Sequence, residues 1–230
     1  MYATEESHGG TALLLLEFQN VCFENEGKSV LNKVTLNINT GEFISVVGPS
    51  GSGKSTFFKL CCNLISPTSG SIIFKGKNFM DYDPVELRKS IVYCFQTPLL
   101  FGSTVKQNIY YPYSIRGLKP DERRVNELFS TFHMSQDFLD NEVKNLSGGE
   151  KQRIALIRSL LFNPEILLLD EVTSALDKDN TELVEGIINS LNKQGVTVLW
   201  ITHNLEQSRK NARRLITIDE GEISSDEALE

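Results

Sequence analysis

No apolar run in this 230-residue chain comes near the ~20 residues that a membrane-crossing helix needs. The longest, ALLLL at Ala12–Leu16 and ILLL at Ile166–Leu169, stop far short, so no span is predicted. The N-terminus, MYATEESHGG, has no basic stretch followed by an apolar one, and residues 1–11 read as a mobile tail rather than a secretory leader. Cysteine is scarce. Cys22, Cys61, Cys62 and Cys94 form no CxxC pair and sit among apolar neighbours, which points to reduced, buried thiols and a cytoplasmic location, not to disulfides or zinc. Positive charge is also short. A formal net charge of -7 argues against nucleic acid or anionic lipid as a general partner, so any phosphate binding must be local.

What is present is a well-cored chain, 40% hydrophobic. Short apolar runs read as buried strands: FISVV (Phe43–Val47), IVYCF (Ile91–Phe95), ILLLD (Ile166–Asp170), VTVLWI (Val196–Ile201) and RLITI (Arg214–Ile218). Between them lie helical repeats. Phe57, Leu60, Cys61, Leu64 and Ile65 share one face, as do Ile154, Ile157, Leu160 and Leu161, then Leu183, Val184, Ile187, Ile188 and Leu191. Strands buried on both faces and alternating with helices predict an α/β fold with a mainly parallel sheet. LLLEFQNVCF, VTLNI and SIIFKG predict an antiparallel β patch near the N-terminus. Residues 97–159 are more polar, carry the turn-forming GLKP (Gly117–Pro120) and read as an inserted helical subdomain. Residues 222–230 read as an acidic tail.

GPSGSGKS (Gly48, Pro49, Ser50, Gly51, Ser52, Gly53, Lys54, Ser55) satisfies GxxxxGK[ST] between a predicted strand and a predicted helix. Glycines there let successive amides turn inward on an anion, and the helix N-terminus adds partial positive charge. Lys54 is placed to reach the β- and γ-phosphates, Ser55 to put its hydroxyl on Mg²⁺, and Thr56 to support the α-phosphate. A solvated Gly/Ser turn would share the composition without the flanking strand and helix. The NKxD pattern of guanine recognition is absent: neither Asn32-Lys33 nor Asn192-Lys193 has Asp two positions after its lysine, which favours adenine.

Asp170 follows four apolar residues at the carboxyl end of a strand, where α/β sheets gather ligands. A charge there needs a partner, and Asp170 would hold Mg²⁺ through a water while Glu171 orients or deprotonates the attacking water. Gln96 and His203 also follow strands. The amide of Gln96 suits a Mg²⁺ ligand and γ-phosphate sensor. His133, inside the insert, reads as surface or packing.

LSGGEKQR (Leu146–Arg153) raises a separate question. Ser147 and Glu150 have capping-box spacing, but Gly148 and Gly149 each cost roughly 1 kcal/mol against Ala in a helix. Something must approach the backbone closely.

With these motifs the chain resembles the ATP-binding subunits of ABC transporters over nearly its whole length. Gly48–Thr56 resemble the Walker A loop, Gln96 the Q-loop, Leu146, Ser147, Gly148, Gly149 and Glu150 the LSGGE signature, and Ile166–Glu171 the Walker B strand with its catalytic Glu. Ser174–Asp177 (SALD) resemble the D-loop and His203 the switch histidine. The resemblance implies an ATP-binding core over 12–96 and 160–221, with 97–159 carrying the signature. It further implies two copies closing head to tail on two ATP, each signature and Asp177 facing nucleotide held by the other copy, and a separate multi-helix permease that keeps the ATPase at the inner face of the membrane.

Three departures stand out. Asn25 lies near the position where the family stacks an aromatic on adenine, with Phe23 nearby as the available ring. Val172 replaces a common Pro, and EVKN stands where large exporters have a TEVGE-like stretch. In finer detail YCFQTPLLFGSTVKQN and LIRSLLFNPEILLLDEVTSALD are similar to small bacterial ATPases of iron export, with kin in plant aluminium tolerance. An iron–sulfur assembly ATPase is the alternative within the same cassette type.

Overall fold

The computed structural model describes residues 13–229, so the expected N-terminal tail lies outside the described residues. Two sheets organise the chain. The smaller is antiparallel, in the order β2-β1-β4-β5, and comprises β1 (Leu14–Asn25), β2 (Lys28–Asn39), β4 (Ser69–Phe74) and β5 (Lys77–Asn78). The larger has the order β10-β9-β3-β8-β7-β6. In it β3 (Phe43–Val47), β6 (Ile91–Cys94), β7 (Ile166–Asp170), β8 (Thr197–Ile201) and β9 (Arg214–Asp219) run parallel, with β10 (Glu222–Ala228) antiparallel at the edge. The mainly parallel α/β core and the antiparallel patch agree with the sequence.

The period-two alternation of these strands divides the core. Ile44, Val46, Ile166, Leu168, Leu199 and Ile201 face one buried cluster, which includes α1 (Lys54–Cys61) and the antiparallel sheet. Phe43, Leu167, Leu169, Val198 and Trp200 face the other, which holds α3 (Val105–Ser114), α4 (Glu122–Thr131), α5 (Gly148–Leu160) and α6 (Lys178–Lys193). Each fully buried Leu, Ile or Val contributes roughly 1.5–3 kcal/mol, which is why the central strands β3, β7 and β8 are buried on both faces. Two shorter helices, α2 (Pro84–Ser90) and α7 (Leu205–Asn211), complete the set. The polar stretch 97–159 contains α3, α4 and nearly all of α5, and α5 packs against the cluster on one face of the sheet.

Two expectations differ from the structure. The helix after the phosphate loop stops at Cys61 instead of continuing through Leu64 and Ile65. Asn63 takes a left-handed φ of 53°, its amide bonds Leu60 O at 3.1 Å and that of Leu64 bonds Lys59 O at 2.9 Å, a Schellman closure. The acidic segment 222–230 is not a tail, because β10 pairs with β9 across Glu220-Gly221, whose φ values of 46° and 81° form a tight hairpin turn. Its charge is used locally, Asp226 receiving two 2.7 Å hydrogen bonds from Arg214.

Candidate active site

Four adjacent strands, β3, β8, β7 and β6, end level with one another: Val46 pairs with Ile201, Ile201 with Asp170, and Leu169 with Cys94. Their carboxyl ends therefore deliver the phosphate loop, His203, Asp170-Glu171 and Gln96 to one edge of the sheet.

The loop is shaped by its glycines. Gly48 has φ 143°, and a Cβ there would lie 2.0 Å from Ile218 O; Gly53, at φ 104°, would strike the Leu31 side chain and Val30 O at 2.8 and 2.9 Å. Only glycine fits this close path. Lys54, buried at the start of α1, donates to Gly48 O at 2.9 Å and Pro49 O at 2.8 Å. Burial lowers its pKa, while Glu171 and Asp170 pull the other way, so three ionisable groups meet here. The hydroxyl of Ser52 is buried without a protein partner. A donor left unpaired inside a glycine-lined anion nest fits a phosphate oxygen.

Glu171 is held on both oxygens. Gln96 Nε2 donates to Oε2 at 2.8 Å, and His203 Nε2 lies 2.9 Å from Oε1. Its backbone is left-handed, φ 49°, a conformation that costs a non-glycine residue about 1 kcal/mol or more. The amide of Glu171 bonds Ile201 O at 3.0 Å, so β8 fixes the turn that aims this carboxylate. Asp170 is buried beside it and accepts a 2.6 Å hydrogen bond from Tyr93. Burial, then Asp170, push the Tyr93 phenol far above its usual pKa, which keeps it a donor.

A buried network ties the two loops together. Gln207 Nε2 donates to Thr173 Oγ1 (3.0 Å) and Glu185 Oε1 (2.9 Å), and Thr202 Oγ1 donates to Gln207 Oε1 (2.6 Å). Burial works against the charge on Glu185, but Lys210 and Gln207 hold its pKa below the usual range. Thr173 follows Glu171 by two residues and Thr202 precedes His203, so the network fixes one loop against the other. Neither Tyr93 nor Gln207 was foreseen. The signal for Tyr93 was a hydroxyl on an otherwise apolar strand; Gln207 had none, since the pairing joins distant segments.

The signature residues share no hydrogen bond with this group. Ser147 caps α5: Glu150 N donates to its Oγ at 3.3 Å, and Glu150 Oε2 accepts from Ser147 N and Oγ at 2.8 and 2.7 Å. Ser147 and Gly148 are exposed, with Leu146 buried behind them. Nothing within 4 Å would meet a Cβ on Gly148, and Gly149 would make only ordinary contacts with Leu176 and Asn180. Asp177 caps α6 through Asn180, whose amide donates at 2.8 Å. Phe23 pairs with Leu31, the residue that confines Gly53, so it lies one strand from the phosphate loop; it is half-buried against the core. Asn25 pairs with Lys28 at the exposed hairpin tip. His133 is exposed, as expected.

Beyond Gln96, Phe95, Leu99, Phe101, Tyr111 and Ile115 expose large apolar surface around a groove of about 430 Å³. Contiguous apolar surface of this kind marks an interaction site. No helix among the described residues is long and apolar enough to cross a membrane.

Comparison with known proteins shows the family. The sequence profile of the ABC transporter family matches residues 31–174. The probable iron export ATP-binding protein FetA of Escherichia coli (strain K12) is 42% identical over 205 residues, spanning 89% of this chain and 91% of that protein. The carnitine transport ATP-binding protein OpuCA of Listeria monocytogenes is 35% identical over 214 residues, 91% of this chain and 54% of its own length. Among solved structures, the dimeric ATP-binding cassette MJ0796 in a post-hydrolysis state with ADP and Pi superposes with a TM-score of 0.85 at 33% identity, covering 94% of this chain and 99% of that one. The chain belongs to the ABC transporter family and is one of its ATP-binding, ATP-hydrolysing cassettes.

Proposed function

We propose that two copies of this chain close head to tail around two ATP and drive a separate multi-helix permease at the inner face of the membrane, with iron export as the transport. The carrying observation is the grip on Glu171: Gln96 and His203 each hold one oxygen of a carboxylate that sits in a strained turn beside the phosphate loop. A base so oriented is prepared to take a proton from water aimed at a phosphoryl group. His203 steadies the carboxylate, and Gln96 connects it to the loop that leads into the apolar groove.

Lys54 and the amides from Gly48 to Thr56 bind the phosphates in this reading, with Ser52 Oγ given a partner, and Phe23 supplies the ring nearest the base. Mg²⁺, where bound, would neutralise charge on the β- and γ-phosphate oxygens. Ser55, Gln96 and Asp170 would hold it, a hydroxyl, an amide and one carboxylate being the oxygen donors that suit this hard cation. Leu146, Ser147, Gly148, Gly149 and Glu150, with Asp177, face nucleotide held by the second copy. The open glycines support this, since nothing among the described residues of their own chain requires them. The groove lined by Phe95, Phe101 and Tyr111 receives the permease. Iron as the cargo rests on the FetA relative, whose printed name states it.

Glu171→Gln tests the mechanism. It should bind ATP, run as a dimer in gel filtration and lose at least about 100-fold in turnover, the typical yield of a general base. A variant that stays monomeric with ATP, or hydrolyses normally, would overturn the assignment. For the partner, detergent-solubilised membranes should yield the chain bound to a multi-helix protein; a purely soluble complex would favour an assembly factor instead.

A further inference from the structure

Asp170 is a buried carboxylate at the end of an apolar strand, and among the described residues the side chain that donates a hydrogen bond to it is the Tyr93 hydroxyl, at 2.6 Å. Tyr93 reaches it from the neighbouring strand: Tyr93 pairs with Leu168 and Cys94 with Leu169, so the phenol extends past two levels of the ladder to the strand end. The ring is fixed by aromatic contacts on two sides, edge-on to Phe58 at 6.0 Å and tilted against Phe95 at 4.3 Å. Asp170 Oδ2 is thereby committed to the phenol, and the carboxylate cannot rotate freely about its last bond. Its other oxygen is the one left to act.

We propose that Tyr93 is a positioning residue for the magnesium-binding carboxylate, orienting Asp170 through its hydroxyl so that the free oxygen faces the metal's water. The proposal rests on the assignment of Asp170 to Mg²⁺. A buried carboxylate with one strong donor is both stabilised as the anion and locked in orientation, and hydrogen bonds to charged groups are the stronger kind. Without the hydroxyl the carboxylate gains rotational freedom and loses the side-chain donor it has among the described residues, so the metal must supply the ordering on binding. The Ser55 hydroxyl also lies within hydrogen-bonding reach of the phenol, whereas Lys54 bonds Gly48 O and Pro49 O, so the polar partners of Tyr93 are the residues assigned to the metal.

The test is calorimetric titration of the full chain with the non-hydrolysable analogue AMP-PNP, in EDTA and over a Mg²⁺ series, for wild type, Tyr93→Phe, Asp170→Asn and Phe58→Leu. Tyr93→Phe keeps the ring and its packing. It should bind the analogue in EDTA within about twofold of wild type, while the Mg²⁺ concentration that half-maximally tightens binding rises about tenfold. Phe58→Leu loosens the same ring but keeps the hydroxyl; it should lower the melting temperature and leave the Mg²⁺ midpoint in place. An unchanged or lower midpoint in Tyr93→Phe, with Asp170→Asn shifted, contradicts the role of Tyr93. Equal shifts in Tyr93→Phe and Phe58→Leu reduce it to packing and equally contradict it. An unshifted Asp170→Asn removes the assignment of Asp170 on which the proposal stands.

Discussion

Two pairs of glycines do opposite things in this molecule. Gly48 and Gly53 in the phosphate loop have positive φ, and a Cβ at either would run into backbone or a core side chain. Gly148 and Gly149 open a capped helix with ordinary dihedrals and room to spare. The first pair is demanded by the chain's own fold. The second weakens a helix for no reason found among the described residues, which is what the proposed contact with a second copy would supply. On the proposed reading, the site is complete on the side that binds phosphate and lacks a wall on the other.

Substitution should separate the pairs sharply. Gly48→Ala places a methyl 2.0 Å from Ile218 O in a backbone that L residues avoid. It should cost about 3 kcal/mol or more, roughly 6–12 °C in thermal melting for a chain of this size, and abolish ATP binding. Gly148→Ala should leave melting unchanged or raise it by up to about 4 °C, because Ala is the better helix former. Its ATPase rate should nevertheless fall at least tenfold, with ATP affinity of the single chain intact. A marked loss of stability in Gly148→Ala would erase the distinction. Ser147→Ala should lower stability modestly, by about 1 kcal/mol for the lost cap. The Ser147 hydroxyl and amide hold the Glu150 carboxyl below its usual range. The folded-state pKa is thus depressed, so the capping-box contribution is present above the unfolded value, about 4.3, and fades as pH falls through the folded one. Melting curves of wild type and Ser147→Ala should converge on acidification.

What was legible in the sequence follows from how local each signal is. FISVV followed by GPSGSGKS is a strand, an anion nest and a helix start within 13 residues, and all three stand where expected. The ends of β6, β7 and β8 were readable as Gln96, Asp170-Glu171 and His203 because buried parallel strands stop abruptly at polar residues. That Gln96 and His203 grip the two oxygens of one carboxylate was not readable, since it depends on the order of strands in the sheet. The end of α1 was misplaced because Asn63 entered the left-handed region against the apolar spacing of Leu64 and Ile65. Acidic composition hid β10, although Glu220-Gly221 is the same kind of turn as Glu26-Gly27 and Lys75-Gly76, which close the other hairpins. In the sequence Tyr93 reads only as part of an apolar run, and its hydroxyl reaches Asp170 because β6 lies beside β7.

The incompleteness of a single copy is tested most directly by mixing two damaged ones. Lys54→Ala lacks a working phosphate loop and keeps its signature; Gly148→Asp has the reverse defect. Each alone should be inactive. Combined in equal amounts, they should recover up to about a quarter of wild-type ATPase activity, the share of sites that unite a sound loop with a sound signature when copies pair at random. A mixture no more active than the sum of its parts would contradict the account.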